Sequence, residues 1–138
     1  MTIKSLRIQL FAVITLLFAL ATPTAWAQTG NWDTYKASAY ASGSGTAADP
    51  YIINTAEQLA YFAYQVKNST NYLGKYFQLG DNIDLSEHYW IPIGKATKDD
   101  NRNFRGVFDG KGYTISTMTV EWNCAESNDN GFGLFSWL

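Results

Sequence analysis

A series of short apolar runs from Lys75 onward constrains the fold more than any other feature of the sequence. In most of these runs apolar side chains alternate with polar ones, and Gly, Asp or Asn residues separate many of the runs. A period of two places successive side chains on opposite faces of a strand, and runs of about three to five residues between turns are typical of all-β proteins. Pro92 lacks a backbone N–H, so we expect it at an edge or at the start of its strand. The apolar positions are Phe77, Leu79, Ile83, Leu85, Ile91, Ile93, Phe104, Phe108, Tyr113, Ile115, Met118, Val120, Trp122, Leu134, Phe135, Trp137 and Leu138.

One earlier segment has helical periodicity and predicts a helix from Thr55 to Lys67. Its apolar residues recur at i, i+3, i+4 and i+7, which forms one stripe along a helix. Thr55 and Gln58 predict a capping box, in which each side chain binds a backbone N–H of the other residue. The short apolar run Tyr51–Ile53 leads into this helix. Because the later runs are strand-like, we expect the helix to cover a sheet or one end of a barrel-like core. The stripe consists of Leu59, Phe62, Ala63 and Val66.

A weak internal repeat indicates how the strands are arranged. The segment FQLGDNIDLS begins at Phe77, and the similar segment FDGKGYTIST begins at Phe108. Phe135 follows after a further interval that is slightly shorter than the first. Each segment combines a Phe, a Gly-containing turn and an apolar strand. Irregular repeats at such intervals are typical of a solenoid whose loops vary in length.

The N-terminus predicts export. Lys4 and Arg7 precede an apolar run over residues 8–21, and Ala25 and Ala27 supply the small residues of a cleavage site before Gln28. This is the layout of a secretory signal peptide, and the apolar run is shorter than the roughly 20 residues that span a bilayer. We therefore predict a signal peptide at 1–27, a Gly/Ser-rich segment at 28–48 and the folded domain at 49–138.

The charge and cysteine content exclude several classes of protein. Removal of the signal peptide takes away two of the ten basic residues and none of the twelve acidic ones, which leaves a formal charge of −4. Without a basic patch, we do not expect a nucleic-acid partner. Cys124 is the single cysteine and cannot form an intramolecular disulfide. The stability of the domain must therefore come from packing and hydrogen bonding.

Five pieces of the sequence resemble a known family. They are GSGTAADPYIINTAEQLAYFA (43–63), KYFQLGDNIDLS (75–86), WIPIG (90–94), FRGVFDGKGYTIS (104–116) and GLF (133–135). Together they resemble the opening of GLUG-motif repeat proteins, which are exported proteins of Bacteroides-type gut bacteria and some Gram-positive relatives. The resemblance covers almost all of the chain after the signal peptide, although Ser136 stands where the family usually has Gly.

The resemblance implies a right-handed parallel β-helix whose first coil is closed by the helix from Thr55 to Lys67. The predicted fold class is therefore all-β with one capping helix, the N-terminal cap and first rungs of such a solenoid. The run from Leu134 to Leu138 is apolar and no polar cap follows it. Because an uncovered coil end exposes strand edges, we expect further rungs to follow in the native protein.

The acidic residues and the single histidine predict no catalytic residue, metal or cofactor. Clustered carboxylates can bind calcium, and a facing pair can cleave glycans. We interpret them as turn and surface residues, since Asp81 and Asp109 each adjoin a Gly. His88 follows Glu87, and neighbours in an extended chain point to opposite sides. The carboxylates are Asp81, Asp84, Asp99, Asp100 and Asp109.

The expected function is that of a non-enzymatic surface scaffold, adhesin-like, which binds glycan or an extracellular protein. Exposed aromatic rings on a rigid stack can contact a sugar, and the candidate contact residues are Tyr72, Tyr89, Trp90 and Trp122. The alternative is a non-catalytic N-terminal segment of a larger secreted peptidase or polysaccharide-acting enzyme, since GLUG repeats occur beside peptidase domains. A β-helix lyase or hydrolase would need a charged cluster across successive rungs, which this sequence does not show.

Overall fold

Short strands and two helices make up the part of the chain that the structure describes. The computed structural model describes residues 29–68, 70–94, 103–120 and 133–136. The helices are α1 (Trp32–Tyr35) and α2 (Ala56–Lys67), and the strands are β1 (Tyr51–Ile53), β2 (Tyr76–Leu79), β3 (Ile83–Asp84), β4 (Val107–Asp109) and β5 (Ile115–Ser116). The predicted signal peptide and Cys124 lie outside the described residues. Across the described ranges, no helix combines the length and apolar character needed to cross a membrane.

Every strand ladder among the described residues is parallel. One sheet has the order β1-β2-β4, and a second sheet pairs β3 with β5. In the first sheet Phe77 lies between Tyr51 and Phe108, so three aromatic residues are in register across the three strands. Parallel neighbours require long crossover connections, and the chain between β1 and β2 contains α2. The prediction of short strands with little helix is thus confirmed.

The two similar sequence segments lie side by side. Phe77 pairs with Phe108 in the first sheet, and Ile83 pairs with Ile115 in the second. The second segment therefore has one extra residue between its two paired positions. A tight turn takes up this residue, because Lys111 has a φ of 51° and Gly112 a φ of 82°. The turn keeps both isoleucines aligned despite the unequal lengths.

Helix α2 begins at the predicted cap, with one difference in its hydrogen bonds. The Thr55 hydroxyl accepts a hydrogen bond from the Gln58 backbone N–H at 3.3 Å, as predicted. The Gln58 side-chain oxygen accepts from the backbone N–H of Asn54 at 2.8 Å rather than from that of Thr55. Both bonds satisfy groups at the helix start, so the cap is formed but its second bond is shifted by one residue.

The buried face of α2 packs on the parallel sheet. The whole predicted stripe is buried, together with Ala56 and Ala60. Phe62 is fully buried, and its ring centroid lies 4.5 Å from that of Phe77 in β2 and 5.7 Å from that of Phe108 in β4. The helix therefore covers the sheet, as expected from the sequence.

Several predicted strands are shorter than expected or absent from the described residues. Ile93 forms only an isolated parallel bridge with Phe135, so the strand predicted around Pro92 is wrong. Tyr113 and Met118 are exposed by 42% and 36%, so these two apolar positions of the predicted strand pattern lie at the surface. The alternation ends early there because the chain turns after Ser116, and Thr117 adopts a positive φ of 55°. Trp122 lies outside the described residues.

The Gly/Ser-rich segment contributes a helix and a core residue that the sequence did not predict. Trp32 in α1 is 3% exposed, and its indole N–H donates to the carbonyl of Leu85 at 3.5 Å. The side chain of Lys67 in α2 pairs with Asp33 in α1 at 2.9 Å. A four-residue helix has too short a pattern to predict, and these tertiary contacts stabilise it.

Candidate ligand-binding groove

Four tyrosines from four parts of the chain converge beside the first sheet. Tyr40 precedes β1, Tyr51 begins β1, Tyr61 lies on α2, and Tyr72 lies in the connection from α2 to β2. Together with Ala39, Ser42 and Gly43 they line a concave surface of about 330 Å³. We call this surface the tyrosine groove.

The chain reverses direction to bring Tyr40 onto Tyr51. Ser42 forms an antiparallel bridge with Ile52, and the Ala41 N–H donates to the Ile52 carbonyl at 2.9 Å. Gly43 permits this return, because it has a φ of +93° and a Cβ there would overlap the backbone carbonyl of Pro50. The loop thus places the rings of Tyr40 and Tyr51 4.7 Å apart.

The buried ring of Phe77 supports the groove from below. Its centroid lies 5.4 Å from Tyr40, 5.2 Å from Tyr51 and 4.8 Å from Tyr72. Tyr61 contacts the same group through Tyr40, at 5.1 Å between centroids. Because Phe77 is 1% exposed and held in a ladder between two strands, the groove is built on a fixed part of the core.

The tyrosine hydroxyls of the groove use only part of their hydrogen-bonding capacity within the protein. Those of Tyr40 and Tyr72 are 2.7 Å apart. The Tyr61 hydroxyl accepts a hydrogen bond from the side-chain amide of Gln65 at 2.6 Å, which leaves its own O–H free to donate. Among the described residues, the Tyr51 hydroxyl has no hydrogen-bond partner. The groove therefore offers several O–H groups that can donate to a ligand and accept from it.

The groove is uncharged. None of its seven lining residues has a formal charge. Burial raises the pKa of Tyr40, and the hydrogen bond to Tyr72 raises it further. Burial also raises the pKa of Tyr72, so both hydroxyls keep their protons near neutral pH. Lys75 provides a cation nearby, with Nζ 6.0 Å from the centroid of the Tyr51 ring and 3.4 Å from the Ser44 carbonyl.

The structure describes three of the four predicted contact residues. Tyr72 lines the groove. Trp90 is fully buried, and its indole N–H donates to the Leu134 carbonyl at 3.2 Å. Its ring therefore belongs to the core, and we correct its assignment as a contact residue. Tyr89 is half-buried and pairs with Asn31 outside the groove, while Trp122 lies outside the described residues.

Sequence reasoning missed Tyr40, Tyr51 and Tyr61. Each lies in a different local pattern: a Gly/Ser-rich loop, a three-residue strand and the edge of an amphipathic helix. No linear motif joins them, because the groove depends on the chain reversal at Gly43 and on the pairing of β1 with β2. The one available signal was the large number of tyrosines, nine in the whole sequence.

A second concave surface carries carboxylates at the start of α2. It has a volume of about 240 Å³, and Glu57, Asp84 and Glu87 are among its lining residues. Hydrogen bonds from Thr117 and then Ser86 lower the pKa of Asp84, so this carboxyl is suited to accept a hydrogen bond and not to donate a proton. Within the described ranges, no group of three or more His, Cys, Asp or Glu residues is placed to hold a metal ion.

Comparison with known proteins gives two relatives of much greater length. No protein-family model and no solved structure matches the chain. A Gly-rich membrane protein of Evansella cellulosilytica is 35% identical over 106 residues, which covers 71% of this chain and 10% of that protein. Halomucin of Haloquadratum walsbyi is 35% identical over 98 residues, which covers 65% of this chain and 1% of that protein. Neither name refers to GLUG repeats, so that resemblance stays a prediction.

Proposed function

We propose that this chain is part of an exported, adhesin-like surface scaffold whose tyrosine groove binds a glycan or an extracellular protein. The observation that carries the proposal is the convergence of Tyr40, Tyr51, Tyr61 and Tyr72 into one concave surface above Phe77. Concave surfaces rich in aromatic groups, with a few polar groups to orient the ligand, are typical binding sites. The scaffold acts by binding and carries out no reaction.

The backbone at Tyr72 supports a binding role for the groove. Tyr72 has a φ of 55°, in the left-handed region that costs a non-glycine residue about 1–2 kcal/mol. Its hydroxyl bond to Tyr40 and its ring contact with Phe77 hold it there. Strained residues of this kind cluster at ligand-binding sites, where the surrounding structure fixes a side chain for contact.

The scaffold we propose is a right-handed parallel β-helix of the GLUG type, with α2 closing its first coil. Support comes from the parallel pairs Phe77–Phe108, Ile83–Ile115 and Trp90–Val120, whose partners are separated by nearly equal lengths of chain. In a solenoid, equivalent positions of successive coils pair with each other, so different pairs are separated by nearly the same number of residues along the chain. Crossovers between parallel strands are right-handed in almost all proteins, which favours that hand here.

Export to the cell surface is the location we propose. The N-terminal residues have the layout of a signal peptide. One similar protein is named as a membrane protein, and the chain spans only 10% of its length. A binding module carried on a long surface protein is consistent with both observations.

The test is an array of immobilised glycans and extracellular proteins probed with the full chain and two matched variants. Tyr61→Ala removes a groove ring, whereas Tyr64→Ala removes a half-buried tyrosine of the same helix, which lies beneath the Lys36 amine and outside the groove. We expect binding by the wild type and by Tyr64→Ala, and a loss in Tyr61→Ala. A failure of the wild type to bind any glycan or extracellular protein would contradict the proposed function.

A further inference from the structure

The tyrosine groove has features that select one chemical class of ligand. Building on the proposed function, we infer that it binds an uncharged carbohydrate, one or two sugar rings at a time, with Tyr61 and the hydroxyls of Tyr40 and Tyr72 as its main contacts. This names the ligand class more narrowly than glycan or extracellular protein. The inference depends on the charge, the hydrogen-bonding groups and the size of the groove.

The charge of the groove favours a neutral ligand. An acidic sugar would place its carboxylate beside seven residues that carry no charge, so the lining offers it no ion-pair partner. Lys75 lies beside Tyr51, and its amine also contacts the Ser44 carbonyl at 3.4 Å. This amine is the only side-chain cation that contacts a groove ring among the described residues. An uncharged ligand needs no ion-pair partner.

The hydroxyl groups of the groove match those of a sugar. In the Tyr40–Tyr72 pair one hydroxyl donates to the other, which leaves one O–H free to donate outward. Tyr61 keeps its O–H free because its oxygen accepts from Gln65. Each of these oxygens also retains acceptor capacity, and a sugar hydroxyl likewise donates and accepts. A neutral sugar can therefore satisfy this set without leaving a charge or a polar group unpaired.

The aromatic rings provide the apolar part of the recognition. The C–H groups on one face of a sugar ring carry partial positive charge, and the face of an aromatic ring is negative. Tyr61 meets Tyr40 at 60°, so the two rings stand at an angle around the concave surface. A sugar ring that lies in the concave surface can contact more than one of these aromatic rings.

The size of the groove favours a short sugar over a peptide. Its volume of about 330 Å³ is at the lower end of the range for small-molecule sites. An extended proline-rich peptide also docks on aromatic residues, but it advances about 3.1 Å per residue and needs a long row of them. Only four tyrosines are grouped here, so a sugar is favoured as the ligand. Binding of such a peptide is one of the outcomes that the test distinguishes.

The test measures binding of defined probes to the full chain by calorimetry. The neutral probes are maltotriose, cellotriose and triacetylchitotriose, the acidic probe is trigalacturonate, and the peptide probe is a proline-rich peptide. We expect at least one neutral trisaccharide to bind, with affinity about ten-fold lower in Tyr61→Ala, which is about 1.4 kcal/mol, and unchanged in Tyr64→Ala. Tyr61→Phe keeps the ring and the fold but loses the hydroxyl, and we expect a smaller loss.

Each of the remaining outcomes would contradict the inference, and the binding results distinguish one from another. Binding of trigalacturonate but no neutral sugar would reject the neutral class and leave glycan binding by the scaffold intact. Binding of the peptide alone would reject sugar as the ligand and favour the protein arm of the proposed function. Equal effects of Tyr61→Ala and Tyr64→Ala would place the ligand elsewhere. If none of the probes binds, the inference is rejected, while the array of glycans and extracellular proteins still decides the proposed function.

Discussion

The hydroxyl oxygens of Tyr40 and Tyr72 lie 2.7 Å apart although the two tyrosines are distant in sequence. The bond joins the loop before β1 to the connection after α2, so it links two segments that no strand ladder connects directly. Both rings also contact Phe77. The pair therefore fixes the shape of the groove and contributes to the stability of the fold around it.

A double-mutant cycle tests this bond. Tyr40→Phe and Tyr72→Phe each remove one hydroxyl and leave the other half-buried without its partner, so each should lower the free energy of unfolding by about 1 kcal/mol. The free energy of unfolding of the double variant should be only slightly lower than that of either single variant, because the double variant leaves no unpaired hydroxyl in this pair. Urea unfolding of the four proteins measures the coupling. Fully additive losses would mean that the two hydroxyls do not interact.

Alkaline pH should destabilise the fold through the same pair. The folded pKa of Tyr40 is raised above its ordinary value of about 10, so its stabilising contribution is complete below pH 10. Above pH 10 the unfolded chain loses the tyrosine proton while the folded chain keeps it, and stability falls as pH rises. We expect a shallower fall in Tyr40→Phe when unfolding free energies are measured between pH 9 and about pH 11. Identical slopes in both proteins would reject this account.

Two glycines with nearly equal φ angles separate backbone strain from contact with the groove. Gly45 has a φ of +75° and Gly74 a φ of +74°, but only a Cβ at Gly45 would overlap the Tyr51 ring. Gly74→Ala should cost about 1–2 kcal/mol, the cost of a left-handed alanine. Gly45→Ala should cost more and also weaken ligand binding, since the Tyr51 ring must move. Urea unfolding measures the loss of stability, and calorimetry measures the loss of ligand affinity. If Gly45→Ala and Gly74→Ala lose the same amount of each, the Tyr51 ring moves freely.

The cap of α2 should contribute measurably to stability. Thr55→Ala removes the oxygen that accepts from the Gln58 N–H, and we expect a loss of about 1 kcal/mol in the free energy of unfolding. Thr119→Ala is the control, because Thr119 is exposed and lies outside the helices, and its change should stay within about 0.5 kcal/mol. Thermal unfolding followed by circular dichroism measures both. A Thr55→Ala protein as stable as the control would contradict the cap.

Local periodicity was sufficient to predict the helix and the inward face of the strand that contains Phe77 and Leu79. The spacing of Leu59, Phe62 and Val66 places them on one buried face of α2, and the alternation at Phe77 and Leu79 places both in the core. These patterns depend only on the geometry of a helix or strand, so a few residues suffice to show them. They also indicated that the helix would cover the sheet.

The groove could not be predicted in the same way, because long-range pairing creates it. Tyr72 was selected for its aromatic ring alone, and nothing local relates it to Tyr40 or Tyr61. Trp90 was selected on the same grounds and is fully buried, since its side chain faces the core and its N–H reaches the Leu134 carbonyl. An aromatic residue carries the same local signal at the surface and in the core, and only the tertiary fold distinguishes the two.

The most direct test of the account is a titration that observes every tyrosine ring at once. In the full chain labelled with ¹³C in its tyrosine rings, addition of the neutral trisaccharide that binds best should shift the ring signals of four residues. We expect these to be Tyr40, Tyr51, Tyr61 and Tyr72, with the exposed rings of Tyr35 and Tyr113 unchanged. Shifts at Tyr35 or Tyr113 with the four groove signals unmoved would contradict the claim that these tyrosines form one binding site.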